Sequence, residues 1–307
     1  MKLKVLELFG GIGACSKALE RLGIDYEIAD YVEIDKYAVK SFNAMHNTNF
    51  EPQDICKWDK DIDVDLIMHG SPCQDFSLAG KQAGGDEGSG TRSSLMYETI
   101  RIVEKLKPKY VIWENVKNLL SKKHIHNFNA YLETMEQLGY TNYYQVLNAK
   151  DYGIPQNRER VFTVSILGNK KYEFPQKQEL KLKLKDMLED EVEEKYYLSE
   201  KLIKCLRSKK NYNGYIRERQ FLNNINPQLA TTLCAAASVR ANNTFIKNNK
   251  GIRKLTPKES FRLMGFDDSD FEKAEKVNSN TQLYKQAGNS IVVNVLEAIL
   301  KEILFDE

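Results

Sequence analysis

Leu66-Ile67-Met68 leads into Gly70-Ser71-Pro72-Cys73-Gln74-Asp75-Phe76-Ser77-Leu78-Ala79, and the reading of this stretch decides the fold. The apolar triplet, bounded by Gly70, reads as a buried strand. Ser71-Pro72 then forces a turn, which puts Cys73 at the carboxyl edge of whatever sheet the strand joins. In open α/β sheets that edge is where ligands and chemistry sit. A thiol on such a turn can reach a substrate, and its thiolate is a strong nucleophile. In isolation the cysteine reads more readily as a half-buried structural residue beside a proline turn. The rest of the chain reverses that preference.

On the amino-terminal side, Lys4–Phe9 reads as a strand broken at Gly10-Gly11-Ile12-Gly13, followed by a helical pattern (Ala14, Ala18, Leu19, Leu22) that stops at Gly23. Tyr26–Val32 is a second strand ending in Glu33-Ile34-Asp35, and Lys36–Met45 is helical. Asp54-Ile55 is expected at the end of a third short strand, which makes Leu66–Met68 the fourth. Downstream, Gly80–Gly90 carries five glycines and few apolar anchors, the pattern of a mobile loop. Ser93 can cap a helix carrying Leu95, Ile102, Val103 and Leu106, ended by Pro108. Tyr110–Trp113 is a fifth strand running into Glu114-Asn115. This alternation predicts a mostly parallel, doubly wound sheet with right-handed crossovers.

A chain of 307 residues can bury a large core and is expected to split into two domains. Its 42% hydrophobic and 29% charged residues are globular values. The five cysteines are scattered without a Cys-x-x-Cys pair, which argues against a disulfide framework and a zinc site and for a reducing compartment. With four histidines and no cluster, no metal is expected. No signal peptide or membrane-length apolar run is evident, so a cytoplasmic protein without membrane association is expected. The net charge of +2 neither requires nor excludes a nucleic-acid partner. After about residue 168 the βαβ rhythm is lost. An acidic stretch around Glu189–Glu194 gives way to seven Lys or Arg between Lys201 and Arg219, interleaved with Tyr212 and Tyr215. Thr256-Pro257-Lys258-Glu259 reads as a capping box with Pro at the first helical position. Gln286–Ser290 precedes a final apolar helix, Ile291–Leu304.

The Phe9–Gly13 loop suggests a nucleotide-type cofactor site, because glycines let backbone approach a ligand. It lacks the dinucleotide spacing, since no Gly falls three residues after Gly13. Glu33 at the second strand end suits a pair of ribose hydroxyls. Asp54 at the expected third strand end can accept from an adenine amino group. A Gly loop, Glu and Asp at successive strand ends describe an adenosine pocket without a pyrophosphate clamp. That favours S-adenosylmethionine over a dinucleotide.

At this point the chain resembles the DNA cytosine carbon-5 methyltransferases of bacterial restriction-modification systems and phages. The matching blocks run in the family's order: Leu6–Gly13, Glu33, Asp54, Gly70–Ser77, Glu114-Asn115-Val116, Gln156–Arg160, Arg253–Phe266 and Gln286–Ser290. The resemblance implies a Rossmann-like S-adenosylmethionine-dependent methyltransferase fold, α/β in class, with a smaller irregular target-recognition domain. The implied division is 1–168 for catalysis and cofactor binding, 169–270 for target recognition, and 271–307 as a segment returning to the catalytic domain. It implies a catalytic set of Cys73, Glu114, Arg158 and Arg160. Cys73 adds to cytosine carbon 6, Glu114 holds N3 and the exocyclic amine, Arg160 contacts the carbonyl oxygen, and Arg158 supports it. For the cofactor it implies Phe9, Gly11, Gly13, Glu33, Ile34, Asp54, Ile55 and Pro72, with Asn289 and Ser290 completing the methionine side. The acid at the head of the first block is Glu7 here.

The target atom lies inside a duplex, so the base must be flipped out of the stack. Gln82 matches the family position that enters the gap, although a serine common in relatives is Ala79 here. Leu229–Leu233 resembles the Thr-Leu segment of family recognition domains. Arg217, Arg219, Thr232 and Arg240 are candidate DNA contacts, most of them to phosphate, with Arg240 a candidate for guanine readout. The expected activity is methyl transfer to carbon 5 of cytosine in a short duplex DNA site by a monomer without metal. The alternatives are the same chemistry on transfer RNA and a catalytically silent DNA-binding regulator.

Overall fold

The computed structural model describes residues 2–71, 95–207, 217–235, 240 and 242–305. Within these, strand β1 (Leu3–Leu8) is followed by α1 (Ala14–Arg21), β2 (Tyr26–Val32), α2 (Lys36–His46), β3 (Leu66–His69), α3 (Met96–Leu106), β4 (Tyr110–Val116), α4 (Ile125–Gln137), β5 (Tyr140–Asn148), the two-residue β6 (Gln156–Asn157) and β7 (Glu159–Leu167). Six of the strands form one sheet in the order β2-β1-β3-β4-β7-β5. The pairings β1–β2, β1–β3 and β3–β4 are parallel, whereas β7 runs antiparallel to both β4 and β5. All four residues of β3 are buried, as are Tyr110–Trp113 of β4. Burial on both faces is what a sheet covered by helices requires, and it explains why these strands read as continuous apolar runs. The chain steps from β1 outward to β2 and then back past β1 to β3. The carboxyl ends of β1 and β3 therefore flank a topological switch point, where open sheets bind ligands.

The sheet differs from the expected one in two respects. The antiparallel half, β5 and β7, carries no βαβ signal. Nor is there a strand between α2 and Asp54, a stretch that lies wholly among the described residues. Residues 55–57 instead form a single 3₁₀ turn, and Asp54 caps it by accepting from the Cys56 N–H at 3.1 Å. Leu66–His69 is thus the third strand and not the fourth, and Asp54 does not stand at a strand end.

By contacts the chain divides into two compact units. The first contains Met1–Asn148, Glu159–Gln176 and Val295–Glu307, and the second Ala149–Arg158 and Lys177–Asn294. The first unit is centred on the sheet. Its main core joins Leu6, Leu8 and Ile67 from the strands, Met96 and Val103 from α3, and Phe128, Tyr131 and Met135 from α4, around Trp113.

The second unit contains α5 (Glu200–Arg207), α6 (Arg217–Asn223), β8 (Ala230–Thr231), β9 (Phe245–Asn248), β10 (Gly251–Lys254), α7 (Pro257–Arg262), α8 (Asp268–Glu275) and α9 (Asn280–Asn289). The last helix, α10 (Val293–Phe305), crosses the boundary between the units. β9 and β10 pair as an antiparallel hairpin, and β8 runs parallel to β6. A small core of Leu206, Phe221, Phe245 and Ile252 holds α5 and α6 to that hairpin. Thr256 and Glu259 form the expected capping box at the start of α7, with Pro257 in its first turn. Glu259 does more than cap. Fully buried, it receives both Nη atoms of Arg253 at 2.8 Å and also the Glu189 N–H at 3.0 Å. A bidentate guanidinium–carboxylate pair supplied with further donors can stand in the core without an uncompensated charge.

Candidate active site

The loop after β1 is shaped by its glycines. Gly13 caps α1 in the left-handed region (φ 79°), and a Cβ there would come within 2.3 Å of His46 Nε2. Gly11 is also left-handed (φ 57°), but its missing Cβ would face open space, so backbone is presented where a ligand can approach. The Tyr31 hydroxyl fixes the loop by donating to the Gly11 carbonyl at 2.6 Å. From the end of β2, Glu33 accepts from the Gly11 N–H at 3.2 Å and from the Asp35 N–H at 2.9 Å. Burial pushes its carboxyl above the ordinary range, against the pull of those backbone donors. Next to it Ile34 stands 69% exposed, an apolar side chain held out into solvent.

The first unit therefore brings Gly11, Glu33 and Ile34 together at the switch point, beside the partly exposed Phe9. Asp54 is tied to the same region through its neighbour, because the Gln53 N–H donates to the Glu33 carbonyl at 2.9 Å. Gln53 also donates to Asp30 at 2.9 Å and to the Tyr31 carbonyl at 2.8 Å. Ile55 is buried in the main core. An open Gly backbone, a desolvated carboxylate acceptor and an exposed aliphatic face suit an adenosine with free ribose hydroxyls. Glu7, near the end of β1, is buried and accepts from both the N–H and the hydroxyl of Ser16. Its carboxyl is raised to about 7, chiefly by desolvation.

The second cluster forms because β7 is antiparallel to β4. Val116 lies opposite Arg160 and Glu114 opposite Phe162, so Glu114 and Arg160 share one face of the sheet. Arg160 Nε lies 2.9 Å from Glu114 Oε1, with the side chains 18% and 12% exposed. The neighbouring Asn115 is buried, and its side-chain Oδ1 accepts from the Val116 N–H at 2.8 Å. At the end of β3, Ser71 accepts from Trp113 Nε1 at 2.9 Å. His69 stacks on the Trp113 ring, and burial lowers its pKa to about 3, so it is neutral at physiological pH. Pro72, Cys73 and Gln82 lie outside the described residues.

Arg158 occupies a different setting, in the second unit, where it donates to the backbone carbonyls of Leu233, Gly288 and Ser290. Ser290 is buried and Asn289, the last residue of α9, is exposed. Thr232 donates its hydroxyl to the Asn157 carbonyl at 2.7 Å. Arg219 and Arg240 are exposed, and Arg217 opens α6 with its side chain outside the described residues.

Sequence reasoning missed the network in which Gln53 and Trp58 Nε1 both donate to Asp30, the Trp113–Ser71 bond, and the Leu233 N–H that donates to Gln156 Oε1. None has a signal in local spacing. Among the described residues there is no cluster of three or more metal-ligating side chains, and no helix is long and apolar enough to cross a membrane.

Comparison with known proteins identifies the family. The C-5 cytosine-specific DNA methylase family matches residues 3–304. The type II methyltransferase M2.ScrFI of Lactococcus lactis subsp. cremoris is 39% identical, over 98% of this chain and 99% of its own. The type II methyltransferase M.Bsp6I of Bacillus sp. (strain RFL6) is 36% identical, over 98% of each. Among solved structures, the Entamoeba histolytica methyltransferase EhMeth superposes with a TM-score of 0.80 at 19% identity, covering 100% of this chain and 99% of its own. The S. pombe Dnmt2 methyltransferase superposes at 0.77 with 22% identity, covering 99% of each chain. At such identities the structural likeness speaks for the Rossmann-like methyltransferase fold alone. Matched along nearly its whole length, the chain belongs to the C-5 cytosine-specific DNA methylase family and is a DNA (cytosine-5-)-methyltransferase.

Proposed function

We propose that the protein methylates carbon 5 of a cytosine flipped out of a short, specific duplex site, through a covalent bond between Cys73 and carbon 6. The observation that carries this reading is the Glu114–Arg160 pair, set 2.9 Å apart at one end of the sheet. Cytosine carbon 5 is a poor nucleophile. Addition of the Cys73 thiolate to carbon 6 makes the ring an enamine, nucleophilic at carbon 5. Glu114 would hold N3 and the exocyclic amine, sharing a proton with N3, and Arg160 would hold the carbonyl oxygen. These contacts strengthen as the ring accepts charge, which is what lowers the barrier. The Arg160 guanidinium would also favour the thiolate over the thiol. Once carbon 5 carries the methyl group, loss of its proton to solvent water and expulsion of the Cys73 thiolate restore the aromatic ring.

The methyl donor is S-adenosylmethionine, whose sulfonium supplies an electrophilic methyl group. Gly11 would let backbone approach it, Gly13 would hold the turn that presents that backbone, and Glu33 would accept from its ribose hydroxyls. Ile34 and Phe9 would flank the adenine, and Asp54 would accept from its amine. In the second unit, Arg219, Thr232 and Arg240 are the proposed DNA contacts. Radiolabelled methyl from the donor should appear in duplex DNA and not in transfer RNA. Label in RNA alone would assign the chemistry to that substrate, and label in neither would leave a silent DNA-binding protein.

A further inference from the structure

We propose that Arg158 and Gln156 are positioning residues for target choice: they clamp residues 230–235 against the end of α9 and so set which DNA sequence is methylated. This rests on reading the second unit as the target-recognition domain. Every residue from Ala230 to Leu233 is tied to the short run 155–158. The Ala230 N–H donates to the Pro155 carbonyl at 2.8 Å, and Thr231 lies opposite Asn157 in the two-stranded parallel pairing. Thr232 donates to the Asn157 carbonyl, and the Leu233 N–H donates to Gln156 Oε1 at 3.1 Å. Gln156 is fully buried and anchors the run by donating to the Leu263 carbonyl at 2.8 Å.

Arg158 closes the clamp. Only 3% exposed, it reaches the Leu233 carbonyl at 3.0 Å with one Nη, and the Gly288 and Ser290 carbonyls at 3.1 and 2.8 Å with the other. Between these contacts the two segments meet backbone to backbone. A Cβ on Gly288 would come within 2.3 Å of the Ala235 nitrogen. The planar fork of an arginine spans carbonyls on two segments, whereas a lysine ammonium is a single point and cannot keep all three bonds. Sequence readout is only as sharp as the segment that performs it is rigid, so a loosened clamp should blur discrimination as well as weaken binding.

The test compares wild type, Arg158→Lys and Gly288→Ala, using plasmid DNA as substrate. KM and kcat are measured separately, and methylated sites are mapped by bisulfite sequencing. Both variants should raise KM for DNA about tenfold, with the loss falling more heavily on KM than on kcat. The preference for the wild-type site over sites differing by one base pair should fall by about tenfold. A merely structural role would reduce the folded fraction, leaving KM and the site pattern of the remaining enzyme unchanged, and that result would overturn the proposal. So would a loss confined to kcat with site choice intact, which would place Arg158 in the chemistry. Wild-type protein that labels no DNA would instead fail the reading beneath this inference, before any variant is compared.

Discussion

Arg158 and Arg160 are separated by one residue and sit in surroundings that differ in kind. Arg160 faces a carboxylate across an antiparallel strand pair and keeps part of its surface open. Arg158 is enclosed by peptide carbonyls of segments 75 to 132 positions away in the chain. A charge paired with one ionisable group can exchange that partner when a substrate arrives, which suits a residue that meets the reacting base. A guanidinium bound to three backbone carbonyls is committed to holding the chain, and substrate can displace it only by undoing that packing. Residue type and spacing in a motif are therefore insufficient to assign a role; the partner decides it.

The first way to break this contrast is at the reacting centre, where the largest effect is expected. Cys73→Ala should abolish methyl transfer while donor binding persists, measured by calorimetry with S-adenosylhomocysteine; joint loss of both would contradict a purely nucleophilic thiol. Next, Arg160→Lys and Glu114→Gln should each lower the single-turnover rate by about 100-fold or more, because both contacts tighten as the ring accepts charge. If either variant behaved like Arg158→Lys, with its loss mainly in KM, the distinction between the two arginines would fail.

A smaller effect is expected at the proposed cofactor site. Glu33→Ala should raise the dissociation constant for S-adenosylhomocysteine by about tenfold, the loss of a charge-assisted hydrogen bond. Unchanged affinity would remove Glu33 from the ribose role. The most graded effect concerns Glu7, whose folded carboxyl titrates at about 7 against 4.5 for the free group. The native state holds that proton more tightly than the unfolded chain. The stability it contributes is therefore complete below about pH 4.5 and lost as pH rises through 7, a loss of about 3 kcal/mol. Denaturant titration near pH 5 and near pH 8 should show this slope in the wild type, and Glu7→Gln should flatten it. An equal slope in both would assign the pH dependence elsewhere.

The parts of the fold that depend on local pattern were legible. The Gly10–Gly13 break, the helix capped at Thr256 and the apolar runs of β1, β3 and β4 all carry their signal within a few residues. Strand β5 was not legible, because Tyr-Thr-Asn-Tyr-Tyr-Gln at the sheet edge is half exposed and lacks an apolar run. Asp54 was misplaced because an Asp before a short turn reads the same whether or not a strand precedes it. The site divided the same way. Glu33 followed from its place at a strand end, but its bond to Gly11 needs the loop geometry. The pairing of Glu114 with Arg160 needs the antiparallel register, and the Arg158 carbonyls are set by tertiary structure alone.

The central claim is most directly tested by bisulfite sequencing of plasmid DNA from cells expressing the wild-type protein, with Cys73→Ala as control. Protection of cytosines within one short motif, lost in the variant, is the result this account predicts. Uniform conversion of every cytosine, from a folded protein that binds S-adenosylhomocysteine, would contradict it.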